Sequence, residues 1–156
     1  MGLESNEGVN PASSTHSATE TSAFSAPLLD ASAAAHAELT AEESEAISAL
    51  PSGSALLLVR RGPGQGSRFL LDTEVSVAGR HPNSEIFLDD VTVSRRHSEF
   101  RRTSSGFEMR DLGSLNGTFV GGERREVVAL HDGDELLVGK FHLTFFESPA
   151  DLKGGR

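Results

Sequence analysis

The chain has 156 residues, no cysteine and a formal net charge of −9. The lack of cysteine excludes a disulfide framework and a thiolate site, and the acidic balance argues against duplex DNA, which selects basic surfaces. No run approaches the roughly 18 apolar residues of a membrane span, and the N-terminus lacks the basic start and apolar segment of a secretion signal. These features predict a cytoplasmic protein with neither nucleic acid nor membrane as a partner.

Residues 1–50 differ from the rest of the chain. They contain eight acidic residues and no Lys or Arg, and therefore carry −8 of the net charge. Ser, Ala, Thr and Glu dominate without a sustained period, which predicts a disordered acidic tail. Within it, "LTAEESEAISAL" has Thr40 three residues before Glu43, the spacing of a capping box. The box predicts a short helix, marginal by itself, that ends before Pro51.

From about residue 53 the sequence changes to short Val-, Leu- and Phe-rich runs separated by Gly, Pro, Asn and Asp. Their spacing of roughly ten residues is typical of an all-β sandwich or barrel. Ten strands are predicted, at 55–60, 67–71, 75–79, 85–88, 97–102, 107–111, 118–120, 126–129, 135–139 and 141–146. In the last strand, Phe141, Leu143 and Phe145 alternate with His142 and Thr144, so one face is expected to pack and the other to meet solvent. The predicted domain covers 51–148, and 149–156 is a short C-terminal tail.

Three predicted loops carry polar groups suited to a phosphorylated peptide. Arg80 follows the strand at 75–79, Ser94 and Arg95 precede the next long strand, and Asn116 lies in "GSLNGTFV". Guanidinium groups and a hydroxyl can bind a phosphate dianion, and a side-chain amide can bind a peptide backbone. No cofactor or metal site is suggested by the sequence.

A resemblance supports this interpretation. The stretch "GRHPNSEIFLDDVTVSRRHSEF" followed by "DLGSLNGTFV" resembles the forkhead-associated (FHA) family, whose signature is Gly-Arg, Ser-x-x-His and Asn-Gly in that order. Over roughly residues 54–147, the resemblance implies an eleven-stranded β-sandwich that binds phosphothreonine peptides through loops at one end. It implies that Arg80 and Ser94 contact the phosphate, that Arg95 adds charge beside it, and that Asn116 bonds the peptide main chain.

The same resemblance implies residues that support the loops. Gly79, His97, Gly117 and Thr118 occupy those positions, with His97 bracing the loops. The chain departs from the family pattern at Leu115, where many members have Thr or Ser as a further phosphate contact. The signature therefore predicts a phosphate site with one fewer contact than in those members.

The N-terminal "ATETSAFSAPLL" extends the resemblance to small actinobacterial regulators, the glycogen accumulation regulators and oxoglutarate dehydrogenase inhibitors. Their tails carry Glu-Thr-Thr-Ser-Val-Phe, phosphorylated on threonine by Ser/Thr protein kinases. Aligned on Ser22 and Phe24, the second threonine of the motif is Thr21, and Glu20 replaces the first. Thr21 is therefore the expected phosphorylation site, and Thr19 is the alternative to the missing threonine.

This resemblance implies a monomeric regulator that works as a switch. The unphosphorylated regulators bind and inhibit the E1 component of 2-oxoglutarate dehydrogenase and also control glutamate dehydrogenase and glutamate synthase. Phosphorylation makes the tail bind its own FHA domain, which releases the enzyme. If the roughly 32 residues between Thr21 and Gly53 are flexible, their r.m.s. span is about 30 Å, comparable with the width of a domain of ~95 residues.

Two other functions compete with this one. The first is a generic FHA adaptor that docks phosphorylated kinases or scaffold proteins. The second is a small hydrolase with Ser94 as nucleophile, His97 as base and Asp111 as its orienting carboxylate. The hydrolase is disfavoured because no nucleophile-elbow glycines flank Ser94, and the sequence predicts a protein that is not an enzyme.

Overall fold

Two β-sheets form the body of the molecule. The computed structural model describes the backbone of residues 26–153 and the side chains of residues 32–152. Eleven strands occur in this part of the chain: β1 Ala55–Arg61, β2 Arg68–Leu71, β3 Val75–Gly79, β4 Ile86–Phe87, β5 Ser98–Thr103, β6 Gly106–Asp111, β7 Thr118–Val120, β8 Glu123–Arg124, β9 Val127–Ala129, β10 Glu135–Val138 and β11 Phe141–Glu147. The expected all-β, eleven-stranded sandwich is confirmed.

The strands are divided six and five between the sheets. The first sheet has the order β2-β1-β11-β10-β7-β8, and the second has the order β4-β3-β5-β6-β9. Neighbouring strands are antiparallel except for β3 and β4, which are parallel. All ten predicted strands are present, with each end within one residue of the prediction. Only β8 was missed.

The main core fills the space between the sheets. Phe100 and Met109 of the five-stranded sheet and Leu57, Leu143 and Phe145 of the six-stranded sheet are all almost completely buried there. This arrangement follows from the period of two along each strand, which directs every second side chain to the same face. The two sheets together thus hold a single apolar layer between them.

Two helices cover part of the outer face of the six-stranded sheet. Helix α1 spans Ala26–Ala37 and helix α2 spans Ala41–Ser48. The predicted capping box is confirmed, because Glu43 N donates to Thr40 Oγ1 and Thr40 N donates to Glu43 Oε1, each at 3.0 Å. A second apolar cluster lies beneath these helices: Ala35, Ile47, Leu50, Leu56, Leu58 and Phe146.

These helices correct two expectations. The predicted disordered tail is corrected for residues 32–50, where burial of an apolar surface stabilises helices that would be marginal alone, and α2 is the short helix predicted from the capping box. Thr144 was expected to face solvent, yet it is only 2% exposed because it lies on the covered face, whereas His142 beyond the helices is exposed. Thr21, the expected phosphorylation site, and Thr19, the candidate substitute for the threonine replaced by Glu20, lie outside the described residues.

A short third helix, α3 Pro149–Lys153, follows β11. The Asp151 carboxylate accepts hydrogen bonds from Ser52 Oγ at 2.5 Å and from Gly53 N at 2.8 Å, which ties the end of the chain to the start of β1. The predicted C-terminal tail therefore begins with one turn of helix. No helix in residues 26–153 is long and apolar enough to span a membrane.

Candidate functional site

The polar loops selected from the sequence meet at one end of the sandwich, here called the site end. Segment 92–94, in the loop between β4 and β5, is where they converge. Arg80 N, after β3, donates to Ser94 O at 3.0 Å. Leu115 N, between β6 and β7, donates to Ser94 Oγ at 3.1 Å. Lys140 N, in the turn between β10 and β11, donates to Thr92 Oγ1 at 3.0 Å.

Arg80 is held against this segment by its own guanidinium. Its Nε donates to Val93 O at 3.1 Å, and the side chain is otherwise exposed. Both of its Nη groups lack a hydrogen-bond partner among the described residues. The side chain is therefore oriented at one nitrogen and free to bind an anion with the others.

Gly79 allows this approach. A Cβ at Gly79 would collide with the carbonyl oxygen of Arg95. The same carbonyl accepts from His81 N at 3.3 Å, so the two loops run in direct backbone contact. Any larger residue at position 79 would force the Arg80 and Ser94 loops apart.

His97 connects two of the loops from within. It is completely buried, and its Nδ1 accepts from Ser94 N at 3.1 Å. Nε2 therefore carries the proton and donates to Gly117 O at 2.8 Å. The neutral imidazole bridges the Ser94 loop and the Asn116 loop.

These contacts do not form a hydrolytic triad. Both nitrogens of His97 are used by backbone groups, and Ser94 Oγ accepts from Leu115 N. The Asp111 carboxylate bonds Ser114 and Thr118 and not His97. The imidazole is therefore neither positioned to take the Ser94 proton nor oriented by Asp111.

Asn116 is also held against segment 92–94. Its Nδ2 donates to Thr92 O at 2.9 Å, and the residue is exposed. The amide retains its Oδ1 acceptor and a second N–H. The neighbouring Leu115 side chain is 84% exposed at the edge of the same surface. Asn116 thus presents a donor and an acceptor beside Ser94.

The loop that carries Asn116 is organised by Asp111. Its carboxylate accepts from Ser114 Oγ at 2.6 Å, from Thr118 Oγ1 at 2.7 Å, and from the backbone N–H groups of Gly113 and Ser114 at 3.0 Å. Burial alone would raise the pKa of Asp111, but these four hydrogen bonds outweigh burial, and the pKa is lowered. The carboxylate is therefore ionised at neutral pH.

The loops that carry Arg80 and Ser94 present three exposed arginines. None of the guanidiniums of Arg80, Arg95 and Arg96 forms an ion pair with a described carboxylate. Asp90 is the acidic neighbour, and hydrogen bonds from the side chain and then the backbone of Thr92 lower its pKa. The Asp90 carboxylate is therefore bonded by Thr92 and forms no ion pair with a described arginine.

Sequence reasoning missed three contributors. Thr92 and Val93 hold Asn116 and Arg80 through their carbonyl oxygens, and Lys140 holds Thr92 through its backbone N–H. Backbone groups are present in every residue, so no side-chain pattern points to them. The spacing of Asp90 and Thr92 was the available signal, because an Asp side chain commonly bonds the backbone two residues on.

Comparison with known proteins identifies the family of the chain. The FHA domain family matches residues 77–139. The oxoglutarate dehydrogenase inhibitor of Corynebacterium glutamicum is 56% identical over 112 residues, 72% of this chain and 78% of that protein. The glycogen accumulation regulator GarA of Mycolicibacterium smegmatis is 51% identical over 135 residues, 86% of this chain and 85% of that protein.

Solved structures give the same result. A structure from an analysis of phosphothreonine-dependent FHA domain interactions aligns with a TM-score of 0.55 and 30% identity, covering 60% of this chain and 95% of that one. That structure is aligned over nearly its whole length, and the identity to the two relatives extends over most of this chain. The chain therefore belongs to the FHA-domain family, in the group of regulators that includes the oxoglutarate dehydrogenase inhibitors and GarA.

Proposed function

We propose that the protein is a non-catalytic, phosphothreonine-binding regulator whose binding site is formed by Arg80, Ser94, Arg95 and Asn116. The observation that carries the proposal is the convergence of three loops on segment 92–94. It brings an oriented guanidinium, a hydroxyl and a side-chain amide to one exposed surface. Those are the groups that bind a phosphate dianion and the peptide that bears it.

Each residue has a distinct part in the proposed site. Arg80 donates to the phosphate from its Nη groups while Nε stays on Val93 O. Ser94 Oγ accepts from Leu115 N, so its own proton is free to point to the phosphate. Arg95 contributes charge from an exposed position, and Asn116 bonds the peptide backbone. Gly79, His97, Gly117 and Thr118 hold the loops in place.

The relatives' names support a metabolic target. In its unphosphorylated form the protein binds and inhibits 2-oxoglutarate dehydrogenase through the E1 component. The Corynebacterium glutamicum relative is named an oxoglutarate dehydrogenase inhibitor, which supports the enzyme as the target. Modulation of glutamate dehydrogenase and glutamate synthase belongs to the same proposal. The protein acts in the cytoplasm as a monomer and is a substrate of Ser/Thr protein kinases.

Phosphorylation of Thr21 switches the regulator off. A phosphate adds roughly −1.5 to −2 charges at neutral pH, which the unpaired guanidiniums of the site would neutralise. Binding within one chain acts at an effective concentration of order mM, so the tail displaces a partner of moderate affinity from the same loops. Phosphorylated tail and enzyme therefore compete for one surface.

Arg80→Ala tests the phosphate site. We expect the variant to lose about 2–4 kcal/mol of affinity for a phosphothreonine peptide copied from residues 15–28, because a charge-assisted pair is removed. Arg96→Ala is the matched control, since Arg96 is the exposed arginine next to the proposed site residues. Calorimetric titration of both variants, with the unphosphorylated peptide as a blank, measures the difference. Equal affinities for the two variants would contradict the site assignment.

Enzyme inhibition tests the target and the switch together. The native chain should inhibit 2-oxoglutarate dehydrogenase, and a chain carrying phosphothreonine at Thr21 should not. Thr21→Ala should inhibit and stay inhibitory after kinase treatment. If the phosphorylated chain inhibits as well as the native one, the tail is not a switch. Absence of inhibition by the native chain would favour a generic adaptor.

A further inference from the structure

Asn116 and Gly117 form an Asn-Gly pair in the loop between β6 and β7. Of the four asparagines in the chain, Asn116 is the one followed by glycine. In such a pair the backbone nitrogen of the glycine can attack the asparagine Cγ, since glycine has no side chain to obstruct the approach. A C–N bond forms, the carboxamide nitrogen leaves as ammonia, and a succinimide ring results. Water then opens the ring to aspartate or isoaspartate, so this loop carries a chemically reactive pair.

The folded loop engages both groups that this reaction consumes. Gly117 N donates to Ser114 Oγ at 2.9 Å, and Asn116 Nδ2 donates to Thr92 O at 2.9 Å. Ring closure removes the proton from Gly117 N and releases Nδ2 as ammonia. Both hydrogen bonds are therefore lost along the reaction, and the loop must open locally before the ring can close.

Ser114 is the residue that restrains the nucleophile. It is only 7% exposed, and its Oγ donates to Asp111 Oδ1 at 2.6 Å. Because the hydroxyl proton is used on the carboxylate, the oxygen offers its lone pairs to Gly117 N. A hydrogen bond to an acceptor stabilises the protonated form of the donor. The Ser114 hydroxyl therefore opposes the deprotonation that makes the Gly117 nitrogen reactive.

The surroundings of Gly117 add to this restraint. The residue is buried, and its carbonyl oxygen accepts from His97 Nε2 at 2.8 Å. A Cβ on Gly117 would lie 2.6 Å from Arg124 Nε, so the arginine side chain covers this part of the loop. The Asn116 carboxamide, in contrast, belongs to an exposed residue. Water thus has access to Asn116, and closure of the ring is the step that the fold controls.

We propose that Asn116 is a site of spontaneous deamidation whose rate is set by the hydrogen bond from Gly117 N to Ser114 Oγ. The reaction needs no enzyme, and water is the co-reactant that opens the ring. Because the ammonia is lost, the change accumulates with the age of the molecule. A molecule whose loop opens more often is modified sooner.

Deamidation removes the Asn116 contribution to the phosphopeptide site, a consequence that rests on the function proposed above. An aspartate carboxylate at this position has no proton to donate to Thr92 O, and it places negative charge beside a ligand that is itself an anion. Isoaspartate lengthens the main chain by a methylene group next to Gly117, whose carbonyl is fixed by His97. Neither product reproduces the native contacts of the loop.

Peptide mapping by mass spectrometry, during incubation at mildly alkaline pH, measures the deamidation rate at Asn116. The full native chain is compared with Ser114→Ala, which removes the acceptor of Gly117 N. Thr118→Val is the matched control, because it removes a different hydrogen bond to the Asp111 carboxylate and leaves Ser114 in place. We expect Ser114→Ala to deamidate at least about tenfold faster than the native chain, and Thr118→Val to stay within about threefold of it.

The outcomes separate a specific hydrogen bond from general loosening of the fold. Acceleration at Asn116 in Ser114→Ala, with Thr118→Val near the native rate, supports the proposal. Equal acceleration in both variants overturns it, and so does a native rate in Ser114→Ala. Asn83, in the loop between β3 and β4, is the internal reference. Acceleration at Asn83 as well would mean that Ser114→Ala acts by unfolding the domain, which also overturns the role of the bond.

A second measurement does not depend on a variant of the loop. The peptide of residues 113–120 contains the same Asn-Gly pair without the contacts to Thr92, His97 and Arg124. We expect Asn116 of the native chain to deamidate at least about tenfold more slowly than the asparagine of this peptide. Equal rates in chain and peptide would show that the folded loop does not restrain the reaction.

Asn116→Asp tests the consequence for binding. We expect this variant to bind the phosphothreonine peptide of residues 15–28 at least about tenfold more weakly than the native chain. Asn83→Asp is the matched control, because it adds the same charge at an exposed position outside the proposed site residues. Equal affinities of the two variants would overturn the loss of binding. If the native chain itself fails to bind the peptide, the proposed function fails, and the rates at Asn116 still decide whether Ser114 controls deamidation.

Discussion

The buried side chain of His97 fixes the relative positions of two surface loops. Its ring is the acceptor for one loop and the donor for another, so the positions of Ser94 and Gly117 are fixed relative to each other. A side chain with a single hydrogen-bonding group could bond only one of the two loops. The Ser-x-x-His spacing recognised in the sequence therefore has a physical basis in a neutral imidazole with a defined tautomer.

Replacing His97 should destabilise the fold and the site together. His97→Ala leaves Ser94 N and Gly117 O without partners in a buried place, and each unmade bond costs about 1–3 kcal/mol. We expect the free energy of unfolding to fall by about 2–4 kcal/mol in urea denaturation, with weaker phosphopeptide binding. His142→Ala, at an exposed position, should change stability by less than about 0.5 kcal/mol. Similar stability of the two variants would refute the bridging role.

The sequence was informative about these residues because each carries a distinctive side chain at a turn. Arg80, Ser94 and Asn116 were selected for their donors, and the structure places them around one short segment. Thr92 and Val93 could not be selected, because they act through carbonyl oxygens whose direction depends on the folded loop. The sequence therefore identifies side chains that can bind a ligand. Which backbone groups position those side chains depends on the conformation of the folded loop.

Among the elements, the loop between β6 and β7 owes its shape to one carboxylate. Asp111 ends β6 and collects hydrogen bonds from both ends of the turn that presents Leu115 and Asn116. These bonds are stronger to the ionised carboxylate than to the protonated acid, which is why the pKa of Asp111 is lowered in the folded protein. The turn is thus linked to pH through a residue outside the proposed binding site.

This linkage predicts an acid-sensitive contribution to stability. A carboxyl whose folded pKa lies below its unfolded value stabilises the fold above the unfolded pKa, near 3.8, and the contribution is lost as pH falls through the folded pKa. Asp111→Asn should therefore be less stable than the native chain at pH 7, with the difference shrinking below pH ~4. Thermal unfolding from pH 7 to pH 2.5 measures it.

Asp72→Asn is the control for that series, because Asp72 is exposed and outside the loop. Its stability should follow that of the native chain at every pH. Because the pKa of Asp90 is also lowered, the stability of the Asp111→Asn variant should still decrease somewhat in acid. A constant difference between Asp111→Asn and the native chain across the range would show that the carboxylate charge does not matter.

Ten of the strands were predictable because each follows a local rule, a short apolar or alternating run with a turn signal at either end. Strand β8 was not, since Glu123 and Arg124 are both exposed and polar, and only their pairing with β7 makes them a strand. Helix α1 was missed for a related reason. Its Ala-rich sequence has no strong amphipathic period. The helix is held on the sandwich by contacts with residues distant in sequence, such as the hydrogen bond from Ser32 to Asp132.

For the molecule as a whole, the central strands β1 and β11 are buried on both faces. Leu57 and Phe145 point into the main core, while Leu58 and Phe146 pack under the helices. The six-stranded sheet is therefore the middle of three layers. This explains why "ALLLV" reads as a continuous apolar run and not as an alternating one.

Removing apolar volume from the second cluster should destabilise the molecule without changing the loops. Ile47 is only 2% exposed in α2. Ile47→Ala is expected to lower the free energy of unfolding by about 2–5 kcal/mol, measured in urea, with unchanged phosphopeptide affinity. Val127→Ala is the control, because Val127 is 44% exposed on β9 and should tolerate truncation. Equal stability of the two variants would mean that α2 contributes little.

The shortness of the outermost strands has a consequence for how partners are recognised. The six-stranded sheet ends in β2, with four residues, and β8, with two; the five-stranded sheet ends in β4, with two, and β9, with three. Such borders offer few unpaired backbone groups to a visiting chain, which discourages recruitment of an additional strand and edge-to-edge aggregation. An extended peptide therefore gains its affinity from individual side chains at the loops, and exchanging a single loop residue can change what is bound while leaving the sheets intact.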